Sequence, residues 1–298
     1  MTRAFFAIAL CLCAIVAGAA ERLPSDSRWA IQLDVQKVLS SQLGPTLNIK
    51  QHLNQANAAK LAMLEAITGF DPWRDLRSIT ICGADASGDS GVIMVRGTFN
   101  ADKLVIPVRA AEGYVAVPAG QRTIHTWKQG DKPAAACLVQ PDLLVIAKSS
   151  ARILAVIVAV DASDAPQTGI TMPSTSKGTL LAAGVADNLG SMIPDGPQAE
   201  LVRSAHGMSA TLSEEGNVLV LEAQATATEE VQAQRLLDAG RGLIAFIQLA
   251  KMEDVDPALA TALRGIQLER SGAKLTVHMT LPVADIQRII AQKKLLEQ

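Results

Sequence analysis

The chain has 298 residues, of which 49% are hydrophobic, and its 27 basic and 29 acidic side chains leave a net charge of −2. This apolar content excludes a disordered protein, and the length is enough to build one large domain or two of ordinary size. The small net charge and the 3% of aromatic residues exclude a protein that binds nucleic acid through a basic surface.

The N-terminus has the layout of a secretory signal peptide. Arg3 precedes an uncharged apolar run, and small residues at 17–20 stand directly before Glu21. We expect cleavage after Ala19 or Ala20 and an exported protein, periplasmic or extracellular. Retention of the segment as an anchor is the alternative. Beyond it no apolar run approaches the roughly 20 residues that a membrane helix needs, so no transmembrane segment is predicted in the mature chain.

Two cysteines, Cys82 and Cys137, follow the predicted cleavage site. Export places both where disulfides form, and a bridge between them would close a loop of about 55 residues and add roughly 4 kcal/mol on the chain-entropy model. Separation along the sequence does not give the Cα distance. A disulfide and two buried free thiols are therefore both open.

The first half of the mature chain alternates strand and helix patterns. Gly69 stands where a helix would end, and Asn100 offers a helix cap. The predicted elements are, in order, a strand at 27–34, a helix at 52–68, strands at 78–83 and 92–99, a helix after Asn100, strands at 114–117, 123–127, 135–139 and 143–147, and a helix from Ser149 or Ser150 to Val160.

The second half follows a segment that is typical of a linker. Residues 161–177 carry two prolines and many small polar side chains without apolar periodicity. Beyond it we predict a strand at 179–185, a helical or irregular segment at 198–205, strands at 208–212 and 218–225, a helix from the cap Thr228 to about Lys251 with one face formed by Leu236, Ala239, Leu243, Ile247 and Ala250, a helix at 257–265, a hairpin at 266–281 and a last helix with Ile286, Ile289 and Ile290.

Both halves run strand, helix, hairpin, capped helix, hairpin, helix. We interpret this order as a tandem duplication in an α+β fold, with antiparallel sheets and helices packed on one face. The predicted divisions are a signal peptide at 1–20, a first half at 21–160, a linker at 161–177 and a second half at 178–298.

The stretch Gly88-Asp89-Ser90-Gly91 has the letters that surround the nucleophile of trypsin-like serine proteases. In that family a histidine and an aspartate precede the serine. Here only His52 precedes Ser90, and it lies in a predicted helix rich in Gln, Asn and Ala. We therefore predict a hairpin turn, with Gly88 and Gly91 at positive φ.

The other histidines do not predict a metal site. His125 and His278 lie in predicted strands and His206 in a predicted turn, and no HxxxH or CxxC spacing occurs. Structural or solvated roles are favoured.

Neither glycines nor acidic pairs predict a site. Gly240 and Gly242 fall inside a helical pattern, where they favour close approach of the helix to its sheet over phosphate binding. The acidic pairs lie in turns or near helix ends, where solvation or a helix N-terminus stabilises them. They are Glu214-Glu215, Glu229-Glu230 and Glu253-Asp254. No catalytic residue, metal ligand or cofactor is predicted.

The stretch Phe70-Asp71-Pro72-Trp73-Arg74-Asp75-Leu76 leads into a predicted strand. Together with the export signal and the repeated hairpin-to-helix units, it resembles a loose group of uncharacterised exported bacterial α+β proteins. The resemblance covers most of the mature chain and implies no catalytic or binding residues.

These patterns favour a non-catalytic binding or interaction protein of the bacterial cell envelope, with another envelope protein as its partner. A hydrolase with its site between the halves and a carrier of small apolar ligands are the alternatives. A polar cleft with a histidine close to a carboxylate would favour the hydrolase, a large apolar cavity the carrier, and an exposed apolar patch the partner-binding protein. The sequence predicts no oligomeric state.

Overall fold

One antiparallel sheet forms the centre of the computed structural model, which describes residues 21–85, 88–162, 170, 172–173, 178–185, 205–249, 257–286 and 288–289. The strands are β1 (Trp29–Asp34), β2 (Leu76–Gly83), β3 (Val92–Gly97), β4 (Val115–Ala119), β5 (Arg122–Gln129), β6 (Lys132–Gln140), β7 (Leu143–Ala147), β8 (Thr179–Val185), β9 (Ala205–Glu215), β10 (Val218–Ala227), β11 (Gln267–Ser271) and β12 (Lys274–Pro282).

Helices connect and cover these strands. Those of the described residues are α1 (Val35–Ser40), α2 (Leu43–Thr46), α3 (Ile49–Thr68), α4 (Pro72–Asp75), α5 (Ala101–Arg109), α6 (Ser150–Asp161), α7 (Glu230–Leu249) and α8 (Pro257–Arg264). Residues 283–286 and 288–289 are also helical. The coexistence of these helices with a large antiparallel sheet confirms the predicted α+β class.

The sheet order is β11-β12-β10-β9-β8-β1-β2-β3-β7-β6-β5-β4. Strands β1 and β8, the first strands of the two predicted halves, pair antiparallel in the middle of the sheet. Ile31 lies opposite Ala183. The structure therefore has one continuous sheet where the sequence predicted separate ones. Without this pairing, β1 and β8 would each be an edge strand with unpaired backbone groups. Because both strands are largely apolar, an exposed edge of this kind would be prone to pair with another chain.

Helices cover both faces of the sheet. On one face Ala30, Cys82 and Val92 share a core with Ile153 and other α6 residues. We call this the α6 face. Alternate residues of the same strands point the other way, where the α1 helix joins a second core that includes Leu33 and Val38. The prediction of helices on one face only was wrong, because each face of the sheet carries its own apolar core and each core needs cover.

One row of paired residues crosses all the described strands on the face opposite α6. Directly paired residues point to the same face of a sheet, and within the row only His125 is polar. We call it the apolar row; no member of it is fully buried. Its members are Ala116, His125, Ala136, Ile146, Ile93, Ile81, Ile31, Ala183, Ala210, Ala223, Val277 and Leu268.

The two edge strands are built against further pairing. Each has five residues; β4 contains Pro118, which lacks a backbone N–H, and β11 carries Glu269 and Arg270, both exposed. Proline and charge on a short edge strand discourage addition of another strand.

Local signals placed several boundaries correctly. Gly69 ends α3 with a left-handed φ of 72°, and the Asn100 side chain accepts a hydrogen bond from the Lys103 N–H at 3.1 Å, capping α5. Most of the predicted linker, and the segment predicted at 198–205 except Ala205, lie outside the described residues.

Candidate functional site

Helix α6 is apolar on both its inner and its outer side. Its only charged residues are Arg152 and Asp161. Ile153 is fully buried against the sheet, whereas Leu154 and Val158 are 43% and 69% exposed. Residues four apart lie on one side of a helix, so these two form a continuous apolar surface. Together with Ala151 and Ala155 we call it the α6 strip.

A groove of about 950 Å³ opens beside the α6 strip. Leu154 and Ile157 form its α6 wall, Leu138 and Pro141 belong to the wall at the end of β6, and Gly120 marks the β4–β5 turn on its far side. Its walls are more apolar than polar, and its polar side chains are Gln121, Arg122, Gln140 and Asp161. The groove and the strip share Leu154, so they form one surface.

An ion pair stands at the polar end of this groove. Arg122 on β5 contacts both carboxylate oxygens of Asp161 at 2.6 and 2.8 Å, and its Nε donates to the Val139 carbonyl at 2.7 Å. The hydrogen bonds from Arg122 lower the pKa of Asp161 below its ordinary value. The pair joins β5 to the C-terminal end of α6.

An N-terminal segment holds α6 at both ends. We call residues 21–27 the strap. Asp26 pairs with Arg152 in the first turn of α6 at 2.5 Å, and Arg22 donates to the carbonyl of Ala162 just beyond the last turn. A cation at the C-terminal end of a helix complements its dipole. The strap therefore fixes the position of the strip on the sheet.

Ser90 is a structural residue of the β2–β3 connection. Its hydroxyl accepts hydrogen bonds from the N–H groups of Ala84 and Asp85 at 3.0 and 3.1 Å. Gly88 has a φ of 74°, as predicted, but Gly91 does not adopt positive φ. The Ser90 hydroxyl therefore has a structural role, because it accepts two backbone hydrogen bonds that hold the loop.

His125 pairs with a tyrosine that the sequence analysis did not single out. Its Nδ1 lies 3.0 Å from the Tyr114 hydroxyl, and the two rings stack with centroids 5.9 Å apart. Burial, and then the charge of Arg109, lower the pKa of His125. Tyr114 directly precedes β4 and His125 lies on β5, so the pairing of these two strands brings the side chains together.

The remaining histidines divide between the described and undescribed parts. His278 lies on β12 directly opposite Glu222 on β10, on the α6 face, half-buried beside Thr276. The side chains of His52 and His206 lie outside the described residues. Within the described part of the chain, no cluster of three or more histidine, cysteine or acidic side chains could hold a metal ion.

Cys82 and Cys137 are both buried and both free. Strands β3 and β7 lie between their strands, and Cys137 aligns across the ladders with Thr80. Three strand spacings amount to roughly 14 Å, about twice the Cα separation that a disulfide tolerates. This geometry does not accommodate a disulfide between Cys82 and Cys137 and favours the other alternative, two buried free thiols.

One glutamate from each of two acidic pairs lies at the start of a helix. Glu214 on β9 accepts hydrogen bonds from the N–H groups of Gln42 and Leu43 at 2.9 and 3.3 Å, at the start of α2. Glu230 opens α7 and contacts Arg270 at 3.6 Å. Glu253-Asp254 lies outside the described residues.

The α6 strip had a signal in the sequence that went unused. Residues 153–160 are the longest apolar run after the signal segment, and they lie in the helix that the sequence predicted to end at Val160. A helix without polar residues on any side is expected to be buried on all sides. In the described part of the chain, no helix is both long and apolar enough to span a membrane.

Comparisons with known proteins give structural likeness alone. No protein-family model matches the chain, and no curated protein matches its sequence. The structure of TP0453 in crystal form III is 11% identical, with a TM-score of 0.49 over 93% of this chain and 100% of that one. Crystal form IV of TP0453 is 9% identical, with a TM-score of 0.44 over 91% of this chain and 97% of that one.

Proposed function

We propose that the protein is an exported, non-catalytic binding protein of the bacterial cell envelope that contacts a partner protein through the α6 strip and the adjoining groove. The observation that carries the proposal is the exposure of Leu154 and Val158 on a helix that has no polar outer side. Export rests on the signal-like layout of residues 1–20.

The energetic argument concerns apolar surface left in water. Burying a valine or leucine side chain fully gains about 1.5–3 kcal/mol relative to leaving it exposed. Because Val158 and Leu154 are 69% and 43% exposed, a partner that covers Val158 and inserts a side chain into the groove beside Leu154 would recover part of that free energy. Such an apolar anchor in a pocket is the usual centre of a protein–protein interface.

The strap makes this surface rigid before binding. Contacts of Arg22 and Asp26 at the two ends of α6, together with the Arg122–Asp161 pair, hold the helix on the sheet. A preformed surface loses little conformational entropy on association. Two polar residues that the sequence analysis considered, Ser90 and His125, have structural contacts: Ser90 accepts hydrogen bonds within a loop, and His125 pairs with Tyr114.

A pair of matched substitutions tests the proposal. A photo-crosslinking residue at Ala151 should give one defined adduct in cells, identified by mass spectrometry. With that partner purified, Val158→Gln should raise the Kd by about tenfold or more, since an interface anchor costs over 1 kcal/mol when lost. Val231→Gln on α7 is the control, because Val231 is 61% exposed on a different helix.

Equal affinity of the two variants would contradict the proposal, as would the absence of any adduct from Ala151. Glutamine is neutral and favours helices, so both variants should fold. Their melting temperatures check this independently.

The apolar row favours one second candidate, a carrier of small apolar ligands on the opposite face. Its central isoleucines, Ile31, Ile81 and Ile93, are neighbours on adjacent strands and only partly buried. A dye that fluoresces in apolar surroundings should bind, and Ile81→Ser should remove the signal while Val158→Gln retains it. Loss in Val158→Gln alone would place the dye at α6 and count against the carrier.

We also propose that the two halves descend from one duplicated unit. Around the β1–β8 pair the order is symmetric, with β2 and β3 on one side and β9 and β10 on the other. A helix follows each third strand, α5 in the first half and α7 in the second. The halves differ beyond that point, where β4 to β7 correspond to β11 and β12 only.

A further inference from the structure

Glu21 begins the strap with a buried carboxylate. Its side chain is only 3% exposed. The two carboxylate oxygens accept hydrogen bonds from Arg96 on β3, from Nε at 2.5 Å and from a terminal nitrogen at 3.0 Å. A bidentate pair of this kind fixes both side chains.

The same guanidinium serves a second carboxylate. The other terminal nitrogen of Arg96 donates to both oxygens of Asp142 at 3.0 Å and to the Gln140 side-chain oxygen at 3.3 Å. Among the described residues, Arg96 is the one cation that forms salt bridges with either carboxylate. The cluster of Glu21, Arg96 and Asp142 therefore carries one more negative than positive charge.

The burial of Glu21 makes this imbalance costly on its side of the cluster, whereas the Asp142 side chain is 41% exposed to water. An excess charge in a partly buried cluster is stabilised less by water than on the open surface, and a further cation within reach would be attracted to it. A free α-amino group has an ordinary pKa near 8 and is therefore protonated at neutral pH. If the mature chain began at Glu21, its α-amino group would belong to the same residue as the carboxylate in the cluster.

The signal-peptide rule alone does not choose this position. It asks for small residues one and three positions before the cut, which Ala20 and Gly18 satisfy for one cut and Ala19 and Ala17 for the other. Only the first cut puts the new amino group on Glu21. The second leaves it one residue, about 3.8 Å of chain, farther away.

We propose that signal peptidase hydrolyses the Ala20–Glu21 bond and that the resulting α-ammonium group of Glu21 joins the Glu21–Arg96–Asp142 cluster. Water supplies the hydroxyl taken up by the Ala20 carbonyl carbon, and the Glu21 nitrogen leaves as an amine that is then protonated. The cluster becomes neutral, and the mature N-terminus itself fastens the strap that holds α6. The inference rests on the export included in the proposed function.

The cleavage position is tested by the intact mass and N-terminal sequence of the protein recovered from the periplasm or medium of a bacterial host. A chain beginning at Glu21 is expected. A chain beginning at Ala20 or at another residue would overturn this inference and leave export standing. A full-length chain retained in the cells would overturn both.

The role of the ammonium group is tested with purified chains that begin at Glu21 or at Ala20, each released from a fusion partner. The Glu21 chain should melt roughly 2–4 °C higher. In the Asp142→Asn background the remaining Glu21–Arg96 pair is already neutral, so the difference should shrink. Equal melting temperatures of the two unsubstituted chains, or an undiminished difference with Asp142→Asn, would contradict the proposed contact.

Discussion

At the residue scale, His125 predicts how stability depends on pH. Burial, and secondarily Arg109, lower its pKa below the ordinary 6.5. Protons therefore bind the unfolded chain more readily, and the contribution of this residue is fully present above about pH 6.5 and lost as the pH falls toward the folded-state pKa. Denaturant unfolding at about pH 7.5 and about pH 5.5 should show this loss, and His125→Gln should reduce it.

The comparison with Tyr114→Phe separates burial from hydrogen bonding. That variant removes the hydroxyl that contacts His125 Nδ1 and keeps the stacked ring. The drop in the free energy of unfolding at low pH should persist in it. If His125→Gln lost stability over the same pH range as the unsubstituted protein, the assignment to His125 would be wrong.

The cysteines predict low reactivity. Burial raises the pKa of Cys82 to about 11 and also raises that of Cys137. Because the thiolate is the reactive form, a maleimide at neutral pH should modify both only after denaturation. Mass spectrometry without reductant should find two free thiols, and a mass two hydrogens lower would restore the disulfide alternative.

At the element scale, the packing of α7 separates two glycines that look alike in sequence. A Cβ on Gly240 would lie 2.8 Å from Leu268 Cδ1, whereas one on Gly242 would meet nothing within 4 Å. Gly242→Ala should therefore stabilise the protein by about 0.5–1 kcal/mol through helix propensity. Gly240→Ala should gain less, because the Leu268 side chain must move.

Denaturant unfolding of the two variants measures this difference. Combining Gly240→Ala with Leu268→Ala should recover most of the propensity gain, relative to Leu268→Ala alone, because the blocking atoms are gone. Equal stabilisation by both glycine substitutions in the unsubstituted background would show that α7 does not approach β11 closely.

The same contact bears on the predicted face of α7, although the side chains of three of its members, Leu243, Ile247 and Ala250, lie outside the described residues. The sequence pattern put Leu236 and Ala239 on one face, but Ala239 is exposed and the buried residues are Ala233 and Leu237. These two share a helix side with Gly240, at spacings of four and three. The helical period is compatible with two apolar faces of α7. The close approach of Gly240 to Leu268 determines which of them packs against the sheet.

At the scale of the whole molecule, the β1–β8 pair predicts that the two halves act as one body. A protease recognition site inserted within residues 163–169 would cut the chain between them. The fragments should stay together in gel filtration, because the β1–β8 ladder and the hydrogen bonds from the N–H groups of Gln42 and Leu43 to Glu214 cross the division. Separation of the fragments without denaturant would show that the sheet is not continuous.

The amino-acid sequence by itself determined most of the local structure. Strand alternation at 27–34, the helix end at Gly69 and the cap at Asn100 depend on side chains within a few positions of the backbone groups they serve. For the same reason the α+β class could be predicted, since it follows from counting such elements.

Only the tertiary structure decided how these elements meet. Pairing of β1 with β8, the separation of Cys82 from Cys137, and the Arg122–Asp161 contact join residues with no shared local signal. The helical period predicts which residues of α6 share a side, but it does not predict which side packs against the sheet. Burial depends on residues distant in the sequence, and the exposed strip on α6 therefore became visible only when this helix was placed on the sheet.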